Sequence, residues 1–145
     1  MAHPNLLTSD DDIREMLEGT HRIAVLGIKP ETHSGQPAFY VPQYMAAAGC
    51  EIIPVPVYYP EVTEIMGRPV YRDLREVPGE IDMVNVFRRS EDIPKHTDEL
   101  LAARPKSVWF QLGIRNDGVA EKLADAGIKV VQNLCLMVEH RALLR

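Results

Sequence analysis

The loop that begins at Gly27 combines residue types that bind phosphate groups, and it comes directly after a continuous apolar run. Gly27 lets a ligand approach the backbone closely, because glycine has no side chain. Lys29, His33 and Ser34 then supply an amine, an imidazole and a hydroxyl, all of which can donate to phosphate oxygens. A helix that starts after the loop adds free N–H groups and a positive dipole end. The pattern predicts a phosphate-binding loop, with an ordinary solvated connection as the alternative.

Two later positions carry side chains that suit a nucleotide, again directly after apolar runs. Phe87 offers an apolar wall, and Arg88 offers a guanidinium that can bind phosphate or stack on adenine. Because Arg88 and Arg89 are adjacent, we expect one to face a ligand and the other to face solvent. The alternative is a pair of surface arginines near a helix start. Gln111, after a further apolar run, supplies an amide.

The common nucleotide motifs do not fit these residues. The dinucleotide fingerprint G-x-G-x-x-G would need a glycine where Lys29 stands. An acidic residue that would hold the NAD ribose is missing after the second predicted strand, where Val57 and Tyr58 stand. No G-K-[ST] occurs, which excludes a Walker A loop. A nicotinamide-dinucleotide-binding oxidoreductase or redox sensor remains an alternative, ranked below a different phosphate ligand.

No group of residues defines a catalytic centre. Cys135 stands before the last predicted helix, where a thiol can become reactive, although a small packing residue is the preferred interpretation. His140 fits a helix surface or a packing position better than a general base. The motifs G-x-S-x-G and H-E-x-x-H are absent from the sequence. The sequence therefore favours binding without catalysis, with no metal site.

Composition limits the classes of protein that remain. The chain has 145 residues, of which 46% are hydrophobic, and this suits one domain over residues 1–145. A formal net charge of −5 argues against nucleic acid or anionic membrane as a partner, so an anionic ligand needs local positive groups. The two cysteines form no CxxC, and the N-terminus has no signal-peptide pattern. We expect a cytoplasmic protein.

Strand and helix patterns alternate five times along the chain, which predicts an α/β fold. The expected architecture is a doubly wound, Rossmann-like parallel five-stranded sheet with helices on both faces. Predicted strands cover residues 22–28, 50–57, 81–87, 107–112 and 128–132. Predicted helices cover residues 9–18, 93–103, 116–126 and 136–144, with one more that starts within residues 37–41, because Pro42 suits only a first turn.

The remaining segments complete this prediction. The N-terminal helix precedes a core of residues 21–145. Prolines in the second strand indicate an edge position or an early end of the strand. Residues 58–69 read as a polar connection, and residues 73–76 as a short helical turn. In such a sheet ligands bind beyond the carboxyl ends of the strands.

Several segments, in this order and spacing, resemble the small stand-alone CoA-binding domain proteins. They are residues 23–27, 40–44, 52–55, 65–71, 84–89, 108–113 and 135–140. These proteins are similar to the N-terminal CoA-binding domain of the succinyl-CoA synthetase alpha subunit. The resemblance spans the chain from about His21 to its C-terminus.

The resemblance implies that coenzyme A binds at the carboxyl edge of the sheet. The loop from Gly27 through Ile28 and Lys29 to His33 and Ser34 would take the phosphates. Val55, Val57 and Tyr58 would line the nucleotide end. Phe87 and Arg88 would flank the adenine or the pantetheine, and Gln111 would border the thiol-ward end. Lys29 and Arg88 would compensate the negative charge.

One departure from the synthetases limits what the resemblance implies. The synthetases carry their phosphorylated histidine in a second domain, which these residues do not include, so that role is not transferred to His140. The expected function is binding of CoA or an acyl-CoA without intrinsic catalysis. The alternative is a non-catalytic subunit of an acyl-CoA ligase-type complex. The apolar last helix could serve a homo-oligomer or a partner, although packing on its own sheet is preferred.

Overall fold

A computed structural model describes residues 3–144 of the chain. Its elements are, in chain order, α1 (Asp10–Glu18), β1 (Arg22–Leu26), α2 (Pro37–Ala47), β2 (Glu51–Val55), β3 (Glu64–Ile65), β4 (Arg68–Pro69), β5 (Met83–Val86), α3 (Thr97–Ala103), β6 (Ser107–Phe110), α4 (Asp117–Asp125), β7 (Lys129–Val131) and α5 (Leu136–Leu143). Short 3-10 helices occupy Glu31–His33, Leu74–Glu76 and Ser90–His96. All five predicted strands are present, although each is shorter than predicted.

The five long strands form one parallel sheet in the order β2-β1-β5-β6-β7. The order reverses between β1 and β5: the chain moves outward from β1 to β2, returns to β5 on the other side of β1, and continues outward. In an open sheet this reversal opens a crevice at the carboxyl ends of the two central strands. The predicted fold class, a doubly wound parallel sheet, is confirmed.

The sheet is buried on both faces, because alternate residues of each strand point to opposite sides. One cluster packs Val25 and Trp109 against α1, α2 and α5. The other packs Val84 and Phe110 against α3 and α4. The apolar strand runs of the sequence are explained by this two-sided burial. β2 lies at an edge, as its prolines predicted.

Three local features differ from the prediction. Pro42 lies inside α2, beyond its first turn, so the assumption about its position was wrong. Because proline has no N–H, the Ala38 carbonyl is left free, and it accepts from the Lys29 backbone N–H at 3.1 Å. Residues 90–96 form a 3-10 helix ahead of α3, since Pro94 also lacks the donor of an α-helical bond.

The third difference is the hairpin of β3 and β4, which lies within the segment predicted as a polar connection. Met66 and Gly67 both adopt positive φ, 55° and 73°, which is the geometry of a two-residue hairpin turn. A non-glycine residue in this conformation is uncommon. Of the two turn residues, only Gly67 therefore indicates a hairpin turn in the sequence.

Four of the five helices begin within one residue of a predicted start, whereas α3 begins at Thr97 and not at residue 93. Ser9 caps α1 and accepts from the Asp12 N–H at 3.2 Å. Asn116 caps α4 and accepts from the Val119 N–H at 2.9 Å. Over residues 3–144, none of the helices has both the length and the apolar character needed to cross a membrane.

Candidate functional site

A cleft of about 540 Å³ opens at the carboxyl ends of β1, β5 and β6, where the strand order reverses. We call it the carboxyl-edge cleft. Its lining combines basic, aromatic and aliphatic side chains with the first turn of α2: Lys29, Gln36, Pro37, Ala38, Phe87, Arg88, Arg89, Ser90, Glu91, Gln111, Leu112, Gly113 and Ile114. Four of the predicted site residues, Lys29, Phe87, Arg88 and Gln111, therefore share one cleft.

Gly27 brings the backbones of β1 and β5 together beneath this cleft. Its φ is +88°, and a Cβ built on it would lie 2.3 Å from the Phe87 carbonyl oxygen. No side chain fits at that distance. The glycine is needed for the close approach of the two strand ends, and this contact fixes where Arg88 leaves the sheet.

Lys29 lies at the entrance to α2. Its ammonium donates to the Gln36 side-chain oxygen, and its backbone is bonded to Ala38 as described above. Gln36 is the N-cap of α2 but makes no side-chain cap bond, and Pro37 occupies the first helical position. The first turn of α2 is thus aimed at the cleft, where its dipole favours an anion.

The rest of the predicted phosphate loop is held away from the lining of the cleft. His33 packs its ring against Tyr59, with 5.3 Å between centroids, and Ser34 is exposed. The Glu31 carboxylate accepts from the Met66 N–H at 2.8 Å, which ties the loop to the hairpin. Ile28 is buried in the core. Of the side chains predicted in this loop, the structure brings Lys29 to the cleft.

The loop after β2 contacts the cleft lining through Tyr58, which bonds Arg88 but does not itself line the cleft. Val55 is buried in the sheet and Val57 packs on the core, so neither offers a polar contact. Tyr58 is 59% exposed, and its hydroxyl accepts from Arg88 at 3.3 Å. This bond lowers the pKa of Tyr58, because the guanidinium stabilises the phenolate.

Arg88 is the centre of a buried hydrogen-bond network and is only 9% exposed. Its Nε donates to the Nε2 of His96 at 3.1 Å, while the guanidinium carbon lies 5.3 Å from the centre of the Tyr58 ring. His96 in turn contacts Glu99 at 2.5 Å, and Glu99 accepts from the Leu74 N–H at 2.9 Å. The bonds that run from Arg88 through His96 and Glu99 to Leu74 thus fix the orientation of the guanidinium. Arg89 is exposed, as expected for one of the two arginines.

Asp92 neutralises the basic cluster beside the cleft. Its buried carboxylate lies 2.9 Å from Arg89, 3.1 Å from Lys95 and 3.8 Å from Arg88. The bond from Arg89, followed by that from Lys95, lowers the pKa of Asp92. The carboxylate therefore stays ionised and holds the segment 90–96 against the end of β5.

Gln111 lies at the floor of the cleft with its side-chain oxygen already engaged. The oxygen accepts from Asn85 at 3.4 Å and from the Leu136 N–H, the first of α5, at 3.3 Å. Asn85 is fully buried, and its Oδ1 has no hydrogen-bond partner among residues 3–144. Gln111 therefore couples the cleft floor to α5.

Three residues that shape the site were not singled out from the sequence: Asn85, His96, and Arg72, which donates to backbone carbonyls of the loop after β2. A polar residue inside an apolar strand was a signal for Asn85. His96 and Arg72 carry no comparable signal, because their roles depend on hydrogen-bond distances and directions that only the fold defines.

Cys135 and His140 lie outside the lining of the cleft. Cys135 precedes α5 and is half-buried against the core. His140 shares a hydrogen bond of 3.1 Å with the Tyr44 hydroxyl, and burial lowers its pKa. Within the part of the chain that the structure describes, no three His, Cys, Asp or Glu side chains are grouped as metal ligands.

A family model described as a CoA binding domain matches residues 21–141. The chain belongs to this family, and the resemblance inferred from its motifs is confirmed. The chain is 37% identical over 134 residues to the Bacillus subtilis protein YneT, covering 91% of this chain and 94% of that protein.

Solved structures share the fold of the chain. A Thermus thermophilus protein is 36% identical with a TM-score of 0.85, over 94% of this chain and 99% of that one. A dinucleotide-forming acetyl-coenzyme A synthetase from Candidatus Korarchaeum cryptofilum, solved with phosphate and ADP, is 19% identical with a TM-score of 0.65. The match covers 80% of this chain and 26% of the synthetase, and it establishes a shared fold.

Proposed function

We propose that the chain binds coenzyme A or an acyl-CoA at the carboxyl-edge cleft, without chemistry of its own. The observation that carries this proposal is the convergence of Lys29, Arg88 and the first turn of α2 where the strand order reverses. The family match supports CoA as the ligand. The net charge of −5 makes these local positive groups necessary for an anionic ligand.

The two basic residues would contribute differently. The Lys29 ammonium has three donors, so it can keep its bond to Gln36 and still bind a phosphate. Arg88 already donates to His96 and Tyr58, and its contribution would be a fixed positive charge with a donor to spare. Lys29 is therefore the better residue for a substitution that leaves the fold intact.

Apolar groups extend from these charges in two directions. Phe87, Leu112 and Ile114 line the cleft toward β6, and Leu112 is 64% exposed. They would bury the pantetheine arm, which adds hydrophobic affinity to the phosphate contacts. On the other side, the exposed Tyr58 ring beside Val57 would take the adenine.

The proposal is tested by titrating CoA into the protein in a calorimeter. Lys29→Ala should weaken CoA binding about tenfold, the loss expected for a charge-assisted hydrogen bond. Lys129→Ala is the matched control, because Lys129 is exposed at the amino end of β7. Equal affinities in the two variants would mean that the site lies elsewhere, and no binding of CoA to the wild-type protein would refute the proposal.

The same titration separates the rival ligand. NAD lacks the pantetheine arm, and neither a second glycine nor a ribose-binding acid is present for it. We expect CoA to raise the melting temperature through mass action and NAD to leave it unchanged. Tighter binding of NAD than of CoA would favour the oxidoreductase or redox-sensor alternative.

Binding without catalysis has its own test. Acetyl-CoA incubated with the protein should be recovered intact by mass spectrometry, and Cys135 should carry no acyl adduct. Turnover that is lost in Cys135→Ser would instead assign a reaction to that thiol. Turnover only after addition of a partner captured from native extract would favour the ligase-subunit alternative.

A further inference from the structure

His96 lies behind Arg88, and the directions of its hydrogen bonds define its protonation state. The Nε of arginine always carries a hydrogen and can only donate, so the Nε2 of His96 must accept through its lone pair. The imidazole proton is then on Nδ1 and is donated to Glu99 Oε1 at 2.5 Å. His96 is therefore neutral and carries its proton on Nδ1. One ring nitrogen bonds the arginine and the other bonds the carboxylate.

These groups are shielded from water. The side chains of Arg88, His96 and Glu99 are 9%, 13% and 10% exposed. Glu99 is fixed from the other side by the Leu74 N–H. Since this chain of bonds is anchored in the core, the lone pair of His96 orients the Arg88 guanidinium together with Tyr58 and Asp92.

We propose that neutral His96 is the positioning residue for Arg88, and that its protonation releases Arg88 and weakens CoA binding as the pH falls. This inference rests on the proposed function, because Arg88 would act by holding the phosphates of CoA. His96 itself does not line the cleft.

The charged and titratable groups around His96 decide what protonation does. They are Arg88 after β5, Tyr58 after β2, Asp73 ahead of the 3-10 helix Leu74–Glu76, Asp92 and Lys95 on its own helix, and Glu99 on α3. An imidazolium keeps its bond to the Glu99 carboxylate. Its new Nε2–H, however, faces the Nε–H of Arg88, and two donors cannot bond to each other.

Arg88 then has other partners to move to. The Asp92 carboxylate lies 3.8 Å from one of its terminal nitrogens, and the Tyr58 hydroxyl lies 3.3 Å from the other. A shift toward Asp92 pairs the guanidinium with a carboxylate instead of leaving it available to a ligand. The added positive charge of His96 would by itself favour an anion, so the sign of the pH dependence distinguishes repositioning from simple charge.

The experiment measures the CoA affinity of the wild-type protein and two variants between about pH 8 and about pH 5.5. His96→Gln keeps an acceptor for Arg88 but cannot be protonated there. His96→Leu removes the acceptor. His140→Gln is the control. His140 is also a partly buried histidine, but its hydrogen-bond partner is the Tyr44 hydroxyl and not an arginine.

We expect wild-type affinity to fall about fivefold to tenfold across this range relative to His96→Gln, the loss of roughly one charged hydrogen bond. The protonation of the CoA phosphates is common to both proteins and cancels in this ratio. At the higher pH, His96→Leu should bind weakly and His96→Gln should recover most of the affinity. The His140→Gln variant should follow the wild-type profile.

Three results would overturn the inference. The first is equal pH dependence in the wild type and His96→Gln, the second is wild-type affinity of His96→Leu at the higher pH, and the third is tighter binding at the lower pH. If His96→Leu fails to fold, the comparison with His96→Gln still decides the question. Absence of CoA binding to the wild-type protein at any pH is a different result, and it refutes the proposed function itself.

Discussion

Single residues control the geometry of the cleft through contacts that leave no spare space. Gly27 lies against the Phe87 carbonyl, and Arg88 lies between the Tyr58 hydroxyl and His96. The contacts of Gly27 with Phe87 and of Arg88 with Tyr58 join segments that are distant in sequence, whereas His96 follows Arg88 closely in the chain. A change at one of these residues should therefore affect both stability and binding, whereas Lys29 should affect binding alone.

Gly27→Ala should destabilise the protein by about 3–5 kcal/mol, about 1–2 from the positive φ and the rest from the clash with Phe87. Gly127→Ala separates the two contributions. Its φ of +87° matches the +88° of Gly27, but a Cβ there meets nothing within 4 Å. Chemical denaturation of both variants gives the difference. Equal losses would mean that the approach to Phe87 has no energetic consequence.

At the scale of elements, loops are held by side chains that reach across to their backbone. Arg72 donates to the carbonyls of Tyr58, Tyr59 and Val62 at 3.1, 2.9 and 2.6 Å. This guanidinium clamps the loop after β2, which has no regular structure of its own. Pro42 helps to hold the loop after β1. Because Pro42 has no N–H, the Ala38 carbonyl is free to accept from the Lys29 backbone N–H.

Arg72→Ala should release the loop after β2 while the sheet remains folded. We expect faster hydrogen exchange at residues 59–63 and about threefold weaker CoA binding, because a loop ordered only on binding costs conformational entropy. Arg141→Ala is a suitable control, since Arg141 is an exposed residue of α5. Unchanged exchange in Arg72→Ala would show that the clamp is dispensable.

At the scale of the whole molecule, both edge strands of the sheet have features that oppose pairing with another chain. β2 carries Pro54 at its edge, and β7 is covered by the N-terminal segment 5–7. Leu7 donates to the Val130 carbonyl at 2.8 Å, and Val130 donates to Asn5 at 2.8 Å. An uncovered edge is a template for pairing with another chain, so this segment should keep the protein from associating through β7.

Leu7→Pro removes the donor to Val130 and takes a buried leucine side chain out of the core, and it should lower the melting temperature by several degrees or more. Size-exclusion chromatography should then detect self-association at high concentration. Thr8→Pro is the matched control: Thr8 is exposed, and it follows the paired segment. Identical behaviour of the two variants would show that the segment does not protect the edge.

The alternation of apolar runs with helical patterns determined the architecture of this protein from sequence alone. Strands buried on both faces read as continuous apolar runs, helix caps such as Ser9 and Asn116 act locally, and prolines disfavour central strands. The order of its motifs was also sufficient to identify the family. These signals are readable because each depends on neighbouring residues.

Tertiary structure alone decided how the site residues are partnered. Of the loop predicted to bind phosphate, Lys29 lines the cleft, whereas His33 packs on Tyr59. Arg88 was predicted to compensate the charge of a ligand, and the structure adds that it is bonded to His96 and Tyr58. A hydrogen bond depends on distance and direction between groups that only the fold brings together, so sequence spacing predicts the residues at the sheet edge and not their partners.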